Sequence, residues 1–423
     1  IPGIYHAHAG YWCGDRFARA DFAVKMAQKF NDITELNRAW GTSYPAFAAV
    51  TPPPISTTQE DYRIDECTNA GTFITHNEEQ RRRWIDFIDW YRGSMTDYAA
   101  FWMQTARKYF PETELYLCTG GDAVPWHGSE FAAQSKVSAA VSTPKAKGGV
   151  RITNEASNYT ANFSVTNWVA TACTFYNGIF SFEPAGQVTE RGVVCRVYNA
   201  AATGAKSLHY YADNITGNIE RVDNFAKNVH FLSEGGVTRD IGMLYPDTPM
   251  VLNTGRIGRY YELFTVMRDY TDYAYACDLT IADGILDTLK ALVIALDGCY
   301  RKATLDKIAT FKARGGLVIG LGLRELYDLN ENRDYMPILF DGVRSINLSL
   351  ENKLSGTADT LTAFLGANGV VVSDGKLDGV FTATKNGRLL AMNYSGAEVT
   401  RNFTLPDGTV TERTLSDLEI AYI

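Results

Sequence analysis

Apolar and polar positions alternate between two periods along residues 1–235. Apolar side chains recur every three or four positions from Trp84 to Phe110, at Trp84, Phe87, Ile88, Tyr91, Met95, Tyr98, Phe101 and Trp102. This spacing predicts one long amphipathic helix, and Pro111 stops it. Asp21–Phe30, Val165–Tyr176 and Gly192–Thr203 are predicted as further helices, the last ended by Gly204. Between them lie short runs that read as strands: Pro2–His6, Leu115–Thr119, Gly149–Thr153, Ile179–Phe182 and Ser207–Tyr211. Strands alternating with helices argue for a parallel α/β layout. A complete (β/α)₈ barrel needs eight strands in about 250 residues, and only about five are counted here. The expected fold class is therefore α/β, with an incomplete, TIM-like (β/α)₈ barrel over residues 1–238.

The texture changes near Arg239. Ile241–Tyr245, Ala291–Leu296 and Gly315–Ile319 read as buried strands, with helices at Tyr260–Asp269 and Leu305–Lys312. Residues 239–345 are expected to form a doubly wound, flavodoxin-like α/β domain. Short strands at Gly369–Ser373, Gly379–Ala383, Arg388–Met392 and Thr400–Thr404, with turn pairs Asp374-Gly375, Asn386-Gly387 and Asp407-Gly408, predict a small β-sandwich-like domain over 346–423.

Composition removes several function classes. A net charge of −8 argues against a nucleic-acid partner, and no apolar run approaches the length of a membrane span. There is no GxGxxG and no P-loop, so no nucleotide cofactor is expected. The seven cysteines are scattered without a CxxC pair; they read as reduced, buried thiols and lean toward the cytoplasm. Ile1 is not an initiator methionine, so processing, trimming or a missing upstream segment is expected. Aromatic residues reach 12%, which suits sugar stacking but also ordinary cores.

Candidate chemistry begins with Phe180-Ser181-Phe182-Glu183-Pro184-Ala185-Gly186, where a hydrophobic strand ends on an acid. A carboxylate there needs a partner or a task; the plain alternative is an ion pair with Arg191 or Arg196. The run Leu36-Asn37-Arg38-Ala39-Trp40-Gly41-Thr42, followed by Tyr44, Phe47 and Pro52-Pro53, resembles a motif of glycoside hydrolase family 42, the β-galactosidases. Phe182-Glu183, Gly192-Val193-Val194-Cys195-Arg196 and Ala202-Thr203-Gly204-Ala205 resemble that family's seventh barrel strand and the helix after it. Trimeric β-mannosidases of similar three-domain build are an equal comparison. The resemblance implies a retaining glycosidase on β-linked hexosides, with a carbohydrate substrate and no cofactor. An incomplete barrel leaves an unpaired edge and an apolar interior, so a homo-oligomer, a trimer being favoured, is expected to cover the opening through the barrel and middle domains. The resemblance also implies that Glu183 is the nucleophile, one of the two carboxyl groups that such enzymes use.

The sequence departs from the family pattern at the other carboxyl group. The fourth-strand Asn-Glu has no counterpart: the matching stretch is Tyr5-His6-Ala7-His8-Ala9-Gly10, with His8 near the place of the acid. Three solutions stay open. Glu155, preceded by Asn154, ends the strand before that of Glu183 and is an acid/base candidate. His8 is a second, as a proton donor near neutrality. The third is that catalysis is lost, leaving a carbohydrate-binding or structural relative, or that another chain completes the site. His6 and His8 lack a clear third ligand, so no metal is expected. Substrate-binding candidates are Trp12 and Trp126 for stacking, and Asp122, His127, Asn154, Asn158, Tyr159 and Asp213 for hydroxyl contacts.

Overall fold

The computed structural model describes residues 13–53, 77–120, 133–153, 157–183, 188–232, 235–252, 263, 267–349, 358–372 and 378–423. Two capped helices come first. Asp15 accepts from the N–H groups of Phe17 and Ala18 to start α1 (Arg16–Lys29). Asp32 caps α2 (Ile33–Trp40), which Gly41 ends at φ 63°. Asn77 caps the long helix α3 (Glu78–Tyr109), as the apolar spacing predicts. Phe22, Leu36 and Trp40 pack with Trp84, Phe87 and Ile88 of α3. Within this contact the Asp86 carboxylate accepts from Lys29 Nζ at 2.5 Å and Trp40 Nε1 at 2.8 Å.

Four strands then alternate with helices: β1 (Leu115–Gly120), α4 (Ala133–Val141), β2 (Gly148–Thr153), α5 (Tyr159–Phe175), β3 (Ile179–Glu183), α6 (Glu190–Thr203) and β4 (Ser207–Leu208). Short helices α7 (Ala212–Thr216) and α8 (Ile219–Asn228) follow. The strands form one parallel sheet in sequence order, β1-β2-β3-β4. Side chains alternate across a strand, and the two faces differ sharply. Val150, Ile152, Phe180 and Phe182 enter the core with Trp168, Val169, Val194 and Val197 of the covering helices. The opposite face carries Tyr116, Arg151, Ser181, Glu183, Ser207 and His209.

That second face is curled inward. A flat sheet would hold β1 and β4 about 14 Å apart, yet the rings of Tyr116 and His209 lie 5.6 Å apart. At the other end of the same two strands, Lys206 Nζ meets Glu114 Oε2 at 2.6 Å. The partial barrel therefore bends until its edge strands touch through side chains. Among the described residues, β1 pairs only with β2.

The next strands are β5 (Val237–Thr238), β6 (Ile241–Leu244), β7 (Ala274–Ala276), β8 (Ala291–Ile294), β9 (Gly298–Tyr300), β10 (Leu317–Leu321), β11 (Leu326–Asp328) and β12 (Ser345–Leu348), with helices α9 (Asp247–Leu252), α10 (Asp278–Ala282), α11 (Lys302–Ala313) and α12 (Met336–Leu339) among them. The parallel sheet order β7-β6-β8-β10-β12 is that of a doubly wound fold. Its central strands are uniformly buried, as in a sheet covered on both faces. β12 carries this sheet past residue 345, where the sequence reading ends the middle domain.

The last segment holds α13 (Ala358–Ala367), β13 (Val380–Lys385), β14 (Arg388–Asn393), β15 (Val399–Thr404), β16 (Val410–Leu415) and β17 (Ile420–Tyr422). It makes two antiparallel sheets, β17-β14-β13-β5 and β15-β16, around Val380, Leu389, Ala391, Phe403 and Leu415. β5 comes from the chain before residue 239, so the sheet borrows a strand across the expected boundary. Asn386 and Gly387, at φ 53° and 71°, form the two-residue turn between Lys385 and Arg388. The strand expected at Gly369–Ser373 does not form over its described part: α13 runs up to it, and Val370 is buried as irregular chain. The strand Pro2–His6 and most of the helix Tyr260–Asp269 lie outside the described residues.

Charge fastens α3 to the middle unit. Arg301 Nη1 and Nη2 donate to both Asp89 oxygens at 2.9 and 2.8 Å, and its Nε reaches Asp278 at 3.1 Å. Thr304 Oγ1 donates to Asp278 at 2.5 Å. Lys136 Nζ lies 3.5 Å from Asp89, and Arg92 pairs with Asp247 at 2.9 Å. Burial pushes the Asp89 carboxyl up, but Arg301 and Lys136 outweigh it and hold it at about 2. Burial raises Asp278, with Arg301 opposing.

Candidate active site

Glu183 ends β3 beside Thr153 of β2, at the carboxyl end of the parallel sheet. Ligands bind at this end in folds of this type. Its residue is only 8% exposed, and a buried carboxylate needs compensation. Arg151, one pleat earlier on β2, provides it: Nη2 lies 2.6 Å from Glu183 Oε2. The Arg151 guanidinium also stands 5.6 Å from the Tyr116 ring centroid. The partner is therefore neither Arg191 nor Arg196. Arg191 is committed to Asp417 and the Tyr394 carbonyl, and Arg196 is buried on α6.

A chain of hydroxyls crosses the same face. Ser181 Oγ and Ser207 Oγ are 2.8 Å apart, and Ser207 Oγ lies 2.9 Å from His209 Nε2. Their register explains the order, since Ser181 pairs with Ser207 and Phe182 with Leu208. His209 thus comes level with Glu183 on the neighbouring strand. Burial lowers the His209 pKa most, and Arg151 lowers it further, while Glu183 and Glu114 act in the opposite sense. Burial and the nearby guanidinium thus favour the uncharged imidazole. The concave face brings together the Glu183 carboxylate, the Arg151 guanidinium, the His209 imidazole, the Ser181 and Ser207 hydroxyls and the Tyr116 ring.

The site residues expected from sequence meet different fates. His8, Trp12, Asp122, Trp126, His127, Asn154 and Glu155 lie outside the described residues. Asp213 is exposed on α7, in the chain that follows β4. Asn158 Oδ1 accepts from Thr160 N–H at 3.1 Å and Thr160 Oγ1 at 2.8 Å at the start of α5. Tyr159 is a correction. It is 1% exposed, its hydroxyl receives Arg268 Nη2 at 2.8 Å, and its ring lies 4.2 Å from that of Phe381. It packs the sheet's helices against the C-terminal unit.

Arg151, His209, Ser181, Ser207 and Tyr116 are not among the site residues expected from sequence. A signal existed for some of them. Arg151 sits between Val150 and Ile152, and Ser181 between Phe180 and Phe182; a polar residue at an alternating position of an apolar strand marks the other face as polar. Among the described residues, no group of three or more His, Cys, Asp or Glu is placed to hold a metal ion, and no helix is long and apolar enough to cross a membrane. The described cysteines 13, 118, 173, 195, 277 and 299 are free thiols.

Comparison with known proteins places the fold. No family model matches the sequence, and no curated protein matches it. Solved structures do match in three dimensions. A β-galactosidase from Bacillus circulans sp. alkalophilus superposes with a TM-score of 0.65 at 10% identity, over 96% of this chain and 76% of that one. A β-galactosidase from the psychrophilic Marinomonas ef1 gives 0.59 at 12% identity, over 91% and 74%. An exo-carrageenase of glycoside hydrolase family 42 from Bacteroides ovatus gives 0.62 at 12%, over 95% and 62%. The chain has the fold of family 42 β-galactosidases, as the sequence motifs imply.

Proposed function

We propose that this protein is a glycoside hydrolase that cleaves β-linked hexosides, of the β-galactoside or β-mannoside class, by the retaining route. The observation that supports it is Glu183: a buried carboxylate at the carboxyl end of a strand in a sheet of that fold, paired with Arg151 at 2.6 Å. In this reading a Glu183 oxygen attacks the anomeric carbon as the glycosidic C–O bond breaks. The acid/base group gives its proton to the departing oxygen. A glycosyl ester on Glu183 remains. The acid/base group then takes a proton from water, which attacks the same carbon and releases the sugar with retained configuration. Glu155 is assigned the acid/base role, with His8 as its competitor. Arg151 fixes the attacking oxygen, and Tyr116 braces Arg151 from the other side. Trp12, Trp126, Asp122, His127, Asn154 and Asp213 are assigned to the sugar ring and its hydroxyls.

One observation favours a second reading. The Arg151–Glu183 contact also satisfies Glu183 as a structural ion pair, which a non-hydrolytic sugar-binding relative would retain. Hydrolysis of aryl β-galactosides and β-mannosides separates the two. Under the enzymatic reading, Glu183→Gln lowers kcat by at least about 10³-fold, Glu155→Gln loses activity too, and NMR finds the product's anomeric configuration retained. Wild-type protein that binds sugars but hydrolyses neither substrate class supports the second reading.

A further inference from the structure

His209 stands beside Glu183, and its side chain turns back along its own strand. Its N–H donates to the Phe182 carbonyl at 2.9 Å, which sets the residue next to Glu183 on the neighbouring strand. One pleat deeper, the register makes a row of Cys118, Arg151, Ser181 and Ser207. Two contacts cross between these rows in opposite senses. Arg151 reaches outward to Glu183 at 2.6 Å, and His209 reaches inward to Ser207 Oγ at 2.9 Å. Both then lie near one ring: the Tyr116 centroid is 5.6 Å from the imidazole and 5.6 Å from the Arg151 guanidinium.

The charge on His209 therefore matters to the pair beside it. An imidazolium would be a second cation at the ring that already carries Arg151, next to the carboxylate that Arg151 holds. It would repel Arg151 and offer Glu183 another partner. The Ser207 hydroxyl serves either state, since it donates to an imidazole or accepts from an imidazolium, and Ser181 Oγ at 2.8 Å takes up its other bond. Protonation thus changes the charge and keeps the hydrogen bond. Among the described residues, the titratable groups on this face are Tyr116, Cys118, Arg151 and Glu183, while Glu114 and Lys206 pair with each other at 2.6 Å. Burial and Arg151 disfavour the charged imidazole, with Glu183 and Glu114 opposing.

Taking Glu183 as the nucleophile, on which this inference rests, we propose that His209 is a positioning residue for it: the uncharged imidazole braces Tyr116 and leaves Glu183 to Arg151, and its protonation disturbs that pair and ends turnover on the acid side.

The test measures kcat and KM for aryl β-galactosides and β-mannosides from about pH 4 to 9, beside an NMR titration of the His209 ring protons. In wild type the acid limb of kcat/KM should coincide with the His209 midpoint, below its ordinary 6.5. His209→Ala should lower kcat by about 10–100-fold, the cost of a small misplacement of a reacting group, with KM little changed. His209→Gln, uncharged and able to reach Ser207, should recover most of that loss and carry its acid limb at lower pH than wild type. A second readout needs no turnover. With isotope-labelled arginine, the Arg151 side-chain signal, assigned by its loss in Arg151→Lys, should move with the His209 midpoint in wild type and stay still over that range in His209→Gln. His209→Gln and the arginine signal carry the test if His209→Ala fails to fold. An acid limb unmoved in His209→Gln, full kcat in His209→Ala, or an Arg151 signal indifferent to His209 overturns the proposal. A wild type that hydrolyses neither substrate class sinks the nucleophile reading instead, and the Arg151 signal then decides alone whether His209 governs the pair.

Discussion

Replacing Asp89 by asparagine should cost the protein about 2–4 kcal/mol of stability at pH 7. Asp89 receives two hydrogen bonds from Arg301 and lies 3.5 Å from Lys136, at the contact between α3 and the middle unit. Its carboxyl is held at about 2 against an ordinary value of 3.8; at about 1.36 kcal/mol per pH unit this corresponds to roughly 2.5 kcal/mol. Asparagine also leaves Arg301 with Asp278 as its remaining hydrogen-bonded carboxylate, and breaking a fully buried pair from one side typically costs about 3–5 kcal/mol, an upper bound for this half-buried one. The remaining Asp278 contact and the polar amide keep the loss below the upper end of that range. Urea denaturation of both proteins, followed by fluorescence, measures the difference. The pH dependence has a definite sign. A carboxyl whose folded value is lowered contributes its stability above 3.8 and loses it as pH falls toward 2. The gap between wild type and Asp89→Asn should therefore be full at pH 7 and shrink between pH 4 and 2. In Asp89→Asn/Arg301→Met the losses should fall short of additive by at least about 1 kcal/mol. A single-variant loss under about 0.5 kcal/mol, or a gap unchanged by acid, would refute this account of the junction.

Further predictions concern the candidate site and the backbone. Arg151→Met removes a cation that depresses His209, so the His209 ring protons, followed by NMR, should titrate at higher pH than in wild type; an unchanged or lower midpoint contradicts the placement. Glu183→Gln should abolish aryl-glycoside hydrolysis while the circular dichroism spectrum of the folded protein stays unchanged, because the amide still accepts from Arg151. Gly204→Ala should destabilise by about 1 kcal/mol, since Gly204 ends α6 at φ 78°, a region that alanine enters with strain; its thermal unfolding should shift down, and an unshifted curve would mean that the α6 terminus relaxes freely.

Much of the architecture is a local matter and legible in the chain. The period of Trp84–Phe110 specifies a helix because apolar residues three and four apart share one face. The alternation through Gly149–Thr153 and Ile179–Phe182 specifies strands for the same kind of reason, and Gly204 and Asn386-Gly387 specify stops and turns through positive φ. The apolar run Ile179–Phe182 marks a strand, and Glu183 is its last residue. Domain edges are less legible: β5 joins the last sheet and β12 the middle one through hydrogen bonds to strands distant in sequence, which no local pattern encodes. The same limit explains Tyr159. Beside Asn158 it reads as a hydroxyl contact, yet Arg268 and Phe381, more than a hundred residues away, claim it for the core.

By itself, then, the chain determined which segments are helix and strand, which of their faces are apolar, and that an acid closes a buried strand. Only the tertiary structure decided that acid's company. Arg151 meets Glu183, and His209 with the two serines shares its face, because adjacent parallel strands align in register and the sheet curls until Tyr116 reaches His209. Register and curvature arise from interactions between distant segments, and it is these that set other polar groups around a lone carboxylate.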